Sequence, residues 1–251
     1  MGSTNASAAP WLVEVSQKIS AHLLQSLQSD APLLGELSSG KGALARGRTL
    51  SLAAYNQESI TSYQDALKLD PSLYEARARL TVLQIRTGQK EAALESAKRL
   101  VEQKPTFELL EMTSDERINA YTLLGNALLL NGLVNESIQA YLSALRFSVT
   151  ETTAAARLAQ VYIATGKGEE ALKLADTFAN NPRFAEFSAH LQLVRNGQAQ
   201  LPFIDLSTIE LDVHGRPLSM VEEGARLAPI VHGDSAWCAD VSDVLASDTR
   251  P

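Results

Sequence analysis

A single cysteine, Cys238, stands in a chain of 251 residues. It leaves no intramolecular disulfide to form and excludes a multi-cysteine zinc or iron–sulfur centre. Aromatic residues are also scarce, at 6%; alanine and leucine are prominent instead, which favours helix. No uncharged apolar run reaches the roughly 18 residues of a membrane span. Basic residues are in the minority, 22 against 29 acidic, for a net charge of −7. That argues against nucleic acid as the main partner, because phosphate binding needs a basic face. The N-terminus has no basic stretch before its first apolar run, Trp11 to Val15, which already contains Glu14. A secretory signal is therefore not expected. Ala6 stands where a myristoylation motif wants Ser or Thr. The expectation is a cytoplasmic protein, so the Asn-x-Ser triplets at Asn5 and Asn135 carry no meaning.

What is present is an ordinary globular composition, 45% hydrophobic and 20% charged, able to bury a core in one or two domains. The charge is unevenly placed. Residues 198–251 hold nine acids against three arginines, a net −6, and the first 197 residues carry −1. The body is nearly neutral and the end is acidic.

An internal period organises the body. Pro71 and Pro105 are 34 residues apart, and so are Gly132 and Gly166. Gly88 precedes Gly132 by 44, one period plus a ten-residue insertion that falls around Thr106 to Asp115. Four units follow, starting near Gly40, Tyr74, Ile118 and Thr152, each read as helix, tight turn, helix. Small residues recur where the two helices of a unit cross: Gly47, Thr81, Gly125 and Ala159, then Ser59, Ala93, Ser137 and Ala171. Larger ones, Leu80, Leu124, Leu158, Tyr63 and Tyr141, are expected to fill the space between units. Glycine suits the turn because it accepts positive φ. Pro71 and Pro105 stop the second helix. The first unit departs from the pattern, with Ala54 in place of the turn glycine and Arg46 where leucine is usual.

This pattern resembles the tetratricopeptide repeat family over about 146 of 251 residues. The resemblance implies an all-α fold: a right-handed superhelix of helix-turn-helix repeats with capping helices, followed here by a small irregular or mixed C-terminal extension. The expected organisation is an N-terminal segment at 1–39, the repeats and a cap at 40–197, and the extension at 198–251. An amphipathic stripe, Leu12, Val15, Ile19, Leu23 and Leu27, predicts a helix from about Pro10 to Ser29 that caps the first unit or mediates dimerisation. Phe184, Phe187, Leu191 and Val194 predict the cap at the other end, closing at Asn196-Gly197. In the extension, Ile209, Leu211 and Val213 alternate with acids, a strand signal, and Asp234 to Leu245 reads as a last helix.

Catalytic chemistry is not evident. Gly166-Lys167-Gly168 is a repeat turn and not a phosphate loop. His22, His190, His214 and His232 are scattered, and His232, Asp234 and Cys238 match no standard metal spacing. No cofactor is expected.

The resemblance implies that the first helix of each unit lines a concave surface. The register places Arg48, Arg79, Arg86, Asn126, Arg157 and Gln160 there, around Leu44, Val82, Leu123 and Leu130. Arginines on an apolar floor suit a peptide with acidic groups. Some family members clamp a chaperone's terminal carboxylates with Lys, Asn and Arg. The matching positions here, Leu44, Arg48, Arg79, Asn119 and Leu123, do not reproduce that clamp. The resulting expectation is a non-catalytic adaptor or scaffold holding a partner segment, regulated by its own acidic tail. The alternatives are chemistry housed in the extension around His214, His232 and Cys238, and a self-assembling subunit joined through the N-terminal helix or the tail.

Overall fold

The computed structural model describes residues 38–52, 54–110, 117–148, 151–179, 189, 192–198 and 206. Among these, eight helices run in four consecutive pairs: α1 (Gly40–Leu52) with α2 (Asn56–Leu69), α3 (Tyr74–Arg86) with α4 (Lys90–Gln103), α5 (Ala120–Leu130) with α6 (Val134–Phe147), and α7 (Thr152–Ala164) with α8 (Gly168–Thr177). Each helix packs on its partner, and each second helix packs on the first helix of the next pair. The four units expected from the period are the four pairs. The predicted helix at 10–29, the cap residues Phe184, Phe187 and Leu191, and the predicted elements after residue 206 lie outside the described residues.

The turns show how the period is written into backbone. Gly88, Gly132 and Gly166 have φ of 70°, 73° and 74°. At each, the glycine amide reaches back to the helix, and the next amide closes a wider loop: Gln89 N donates to the Gln84 carbonyl at 2.8 Å, Leu133 to Leu128 at 2.9 Å and Lys167 to Tyr162 at 2.7 Å. This pair of bonds satisfies helix-end carbonyls that would otherwise stay open. The first unit closes the same way without glycine. Ala54 adopts φ 61°, and Tyr55 N donates to the Leu50 carbonyl at 2.9 Å. Helices α2 and α4 end at Leu69 and Gln103, two residues short of Pro71 and Pro105.

In the first and third pairs the helices meet through glycine. A Cβ on Gly47 would lie 2.4 Å from Tyr63 Cε1, and the Ser59 hydroxyl donates to the Gly47 carbonyl at 2.7 Å. Tyr63 therefore sits inside its own pair as well as against Ala76, Leu80 and Leu83 of the next unit. Burial of such large side chains supplies about 1.5–3 kcal/mol each. Beyond α8, a helical turn at 192–195 ends at Gly197 with φ 70°. Arg195 ties it to α8 through an ion pair of 2.8 Å with Asp176.

The described part of the insertion, up to Leu110, forms a strand that pairs with the residues following the insertion, which the period alone does not anticipate. Strands β1 (Glu108–Leu110) and β2 (Arg117–Asn119) pair antiparallel, with Leu109 opposite Ile118. No helix of the described residues is long and apolar enough to cross a membrane.

Candidate functional site

The resemblance implies an inner face built from α1, α3, α5 and α7, the first helices of the pairs. The sequence reading places its six candidate residues there, and the structure sorts them into three neighbourhoods.

At the first neighbourhood, Glu75 joins two arginines. Arg48 Nη1 donates to Glu75 Oε1 at 2.9 Å, and Arg79 Nε donates to the same oxygen at 2.8 Å. Burial would raise the Glu75 carboxyl, but the guanidinium groups of Arg79 and Arg48 outweigh it and hold it below its ordinary value. Arg48 remains half-buried, with 21% of its side chain exposed. Arg86, also half-buried, donates to Asn56 Oδ1 and so links the end of α3 to the start of α2.

The second neighbourhood is the β1–β2 hairpin. Arg79 extends past Glu75 and donates through Nη2 to the Leu110 carbonyl at 3.1 Å. Leu109 and Ile118 are buried against Ala78, Val82 and Leu123. Val82 and Leu123 were expected to form an open apolar floor. The chain's own hairpin packs on them instead, because an apolar patch of that kind is more stable covered than wet.

The third neighbourhood is buried and polar. Asn126, Arg157 and Gln160 are each 0% exposed. The Tyr141 hydroxyl donates to Asn126 Oδ1 at 2.8 Å, and Arg157 Nη1 donates to Gln160 Oε1 at 3.2 Å. Burial raises the Tyr141 phenol, and the nearby Arg157 charge opposes that shift. Leu206 packs against the adjoining cluster of Leu129, Tyr141, Ala154, Leu158 and Val161.

Sequence reasoning missed Glu151. It sits just before α7 and is 5% exposed. Its carboxyl accepts from the Thr122 hydroxyl and, at 3.1 Å, from the Asn119 amide. Burial pushes it up to about 7, against the two hydrogen bonds, and Glu108 adds to the rise. The signal available was thin: one acid next to a helix start. His214, His232, Asp234 and Cys238 lie outside the described residues.

No family model and no curated protein matches the chain. Solved structures do. A thermophilic TPR protein from Thermus thermophilus is 18% identical, with a TM-score of 0.52 over 83% of this chain and 100% of that one. A structure of MamA is 20% identical, with a TM-score of 0.51 over 81% of this chain and 96% of that one. MamA from Desulfovibrio magneticus, from residue 41 to its end, is 18% identical, with a TM-score of 0.51 over 70% of this chain and 88% of that one. At such identities the likeness concerns the fold: the chain has the tetratricopeptide-type architecture that its period implies.

Proposed function

We propose that the protein is a non-catalytic interaction scaffold that holds a segment of a partner protein against its inner face, while its own acidic extension competes for part of that face. The observation that carries this reading is the run of arginines on the first helices, half-exposed at Arg48 and Arg86 and buried at Arg79 and Arg157. Solenoids offer extended inner surfaces, and guanidinium groups recognise carboxylates through paired hydrogen bonds. The partner segment therefore carries acidic groups. Arg48 and Arg86 are the accessible contacts. Arg79, Asn126, Arg157 and Gln160 are buried, so they meet a partner only where the chain's own cover gives way.

The test uses the full-length chain. Proteins captured by the wild type are identified by mass spectrometry, and the purified partner is titrated against the wild type and the Arg48→Ala/Arg86→Ala double variant. We expect the variant to bind at least about tenfold more weakly, the equivalent of ~1.4 kcal/mol. A partner that binds both proteins equally overturns the assignment of these contacts.

A further inference from the structure

We propose that Glu75 is an internal competitor for the partner's acid: its carboxylate occupies the pair formed by Arg48 and Arg79, and a partner segment binds the first two units by putting its own carboxylate in that place. The inference rests on the scaffold reading above and deepens it. It confines the acidic segment to units one and two, and it names the residue that selects for acidity.

The two halves of the solenoid are built alike. Helices α2 and α3 recur 78 residues later as α6 and α7, Asn56–Leu69 as Val134–Phe147 and Tyr74–Arg86 as Thr152–Ala164. On that offset Gly47 matches Gly125, Tyr63 matches Tyr141 and Arg79 matches Arg157. In both halves the tyrosine ring fills the space beside the glycine. What differs is the polar set on the first helices. Arg48 and Glu75 correspond to Asn126 and Thr153, and the linked Arg86 and Asn56 correspond to Ala164 and Val134. In each link both members change together.

The second half shows what the architecture itself requires. Asn126 and Thr153 are uncharged, so these two positions form no ion pair there, and the helices still pair and stack. Both residues are buried, and Asn126 accepts from the Tyr141 hydroxyl. An ion pair at this place is thus not what joins one unit to the next. In the first half the same place is charged and open to water, with 21% of the Arg48 side chain and 31% of the Glu75 side chain exposed.

The chemistry of that place suits exchange of one carboxylate for another. Glu75 Oε1 accepts from Arg48 Nη1 at 2.9 Å and from Arg79 Nε at 2.8 Å. Two guanidinium groups against one carboxylate leave the trio with a formal charge of +1. Arg79 and Arg48 hold the Glu75 carboxyl below its ordinary value, so it is ionised at neutral pH and competes as an anion. An ion pair this open to water adds little to stability, and an incoming carboxylate restores the bonds that Glu75 gives up. A neutral segment restores none of them. Glu75 therefore weakens every ligand that is not acidic, which is selection by competition.

The experiment titrates full-length protein against fluorescein-labelled hexaglutamate and hexaglutamine peptides, read by anisotropy. Glu75→Gln keeps the size of the side chain and removes the competing charge. It is expected to bind hexaglutamate at least about tenfold more tightly than the wild type, with hexaglutamine unaffected. Adding Arg48→Ala removes the gain. Should Glu75→Gln fail to fold, Glu75→Thr, which carries the residue of the second half, takes its place in the same titrations. Equal or weaker hexaglutamate binding by the Glu75 variant, no binding by either protein, a gain shared by hexaglutamine, or a gain that survives Arg48→Ala overturns the inference. Displacement of hexaglutamate by an equal concentration of inorganic phosphate would identify a phosphate site and overturn the assignment to a carboxylate. The scaffold reading is judged separately, by the purified partner and the Arg48→Ala/Arg86→Ala variant, so that either can fail without the other.

Discussion

The ring of Tyr141 occupies the space that a side chain on Gly125 would need: a Cβ there would stand 2.4 Å from Cε1 and 2.6 Å from Cδ1. The tyrosine is 0% exposed and its hydroxyl is tied to Asn126, so the ring cannot swing away. Gly125→Ala removes the helix penalty of glycine, about 1 kcal/mol. The overlap outweighs that gain, and we expect a net destabilisation of about 2 kcal/mol in chemical denaturation. Shortening the ring as well, in Gly125→Ala/Tyr141→Leu, should cost less than the sum of the single changes. Strict additivity would show that the two residues do not share this space.

Ala54 offers the opposite case. It holds φ 61° in a turn where the other three units use glycine, and it is exposed, so no packing depends on its methyl group. A left-handed alanine costs about 1–2 kcal/mol, partly offset by the greater freedom of glycine in the unfolded chain. Ala54→Gly should therefore stabilise the protein by about 0.5–1 kcal/mol, seen as a raised denaturation midpoint. Gly132→Ala should destabilise through the same backbone term, since nothing lies within 4 Å of its Cβ position. A fall in stability for Ala54→Gly would contradict the account.

These turns were legible in the sequence because their physical requirement is local. A positive φ selects glycine, and a period of 34 repeats the requirement. Close helix crossing is nearly as legible, since Gly47 and Gly125 each leave room for a tyrosine. The hairpin was not. Each of its strands is three residues long, too short for alternation to register, and what holds it is distant: Leu109 and Ile118 on Val82 and Leu123, and Arg79 on the Leu110 carbonyl. The same limit applies to Arg157. Periodicity places it on the inner face of α7, but whether that face is wet or covered depends on residues remote in sequence.

Arg79 is the side chain that couples the hairpin to the solenoid. It donates to Glu75 at 2.8 Å and to the Leu110 carbonyl at 3.1 Å. Arg79→Leu removes both bonds, while Glu75 keeps Arg48 at 2.9 Å. We expect a loss of about 2 kcal/mol, in the range of hydrogen bonds to charged groups. The loss should concentrate in faster amide hydrogen exchange across β1 and β2, with α7 and α8 unaffected. Unchanged protection in the hairpin would mean that Leu109 and Ile118 hold it without help.

Glu151 makes stability depend on pH in an unusual direction. Its carboxyl is raised from 4.5 to about 7 in the folded chain, chiefly by burial. Below the unfolded value both states keep the proton and the group is neutral in its effect. Between about 4.5 and 7 the unfolded chain releases the proton while the folded chain retains it, so the folded state binds more protons and stability falls as pH rises. Above the folded value the loss is complete, at roughly 3 kcal/mol. Glu151→Gln keeps an acceptor for the Thr122 hydroxyl and the Asn119 amide but carries no charge. It should match the wild type near pH 5 and exceed it by roughly 1–3 kcal/mol near pH 8, measured by denaturation at each pH. A difference between the two proteins that stays flat across this range would show that the carboxyl ionises in the folded chain as readily as in water, and that the contact between α5, β2 and the start of α7 is wet.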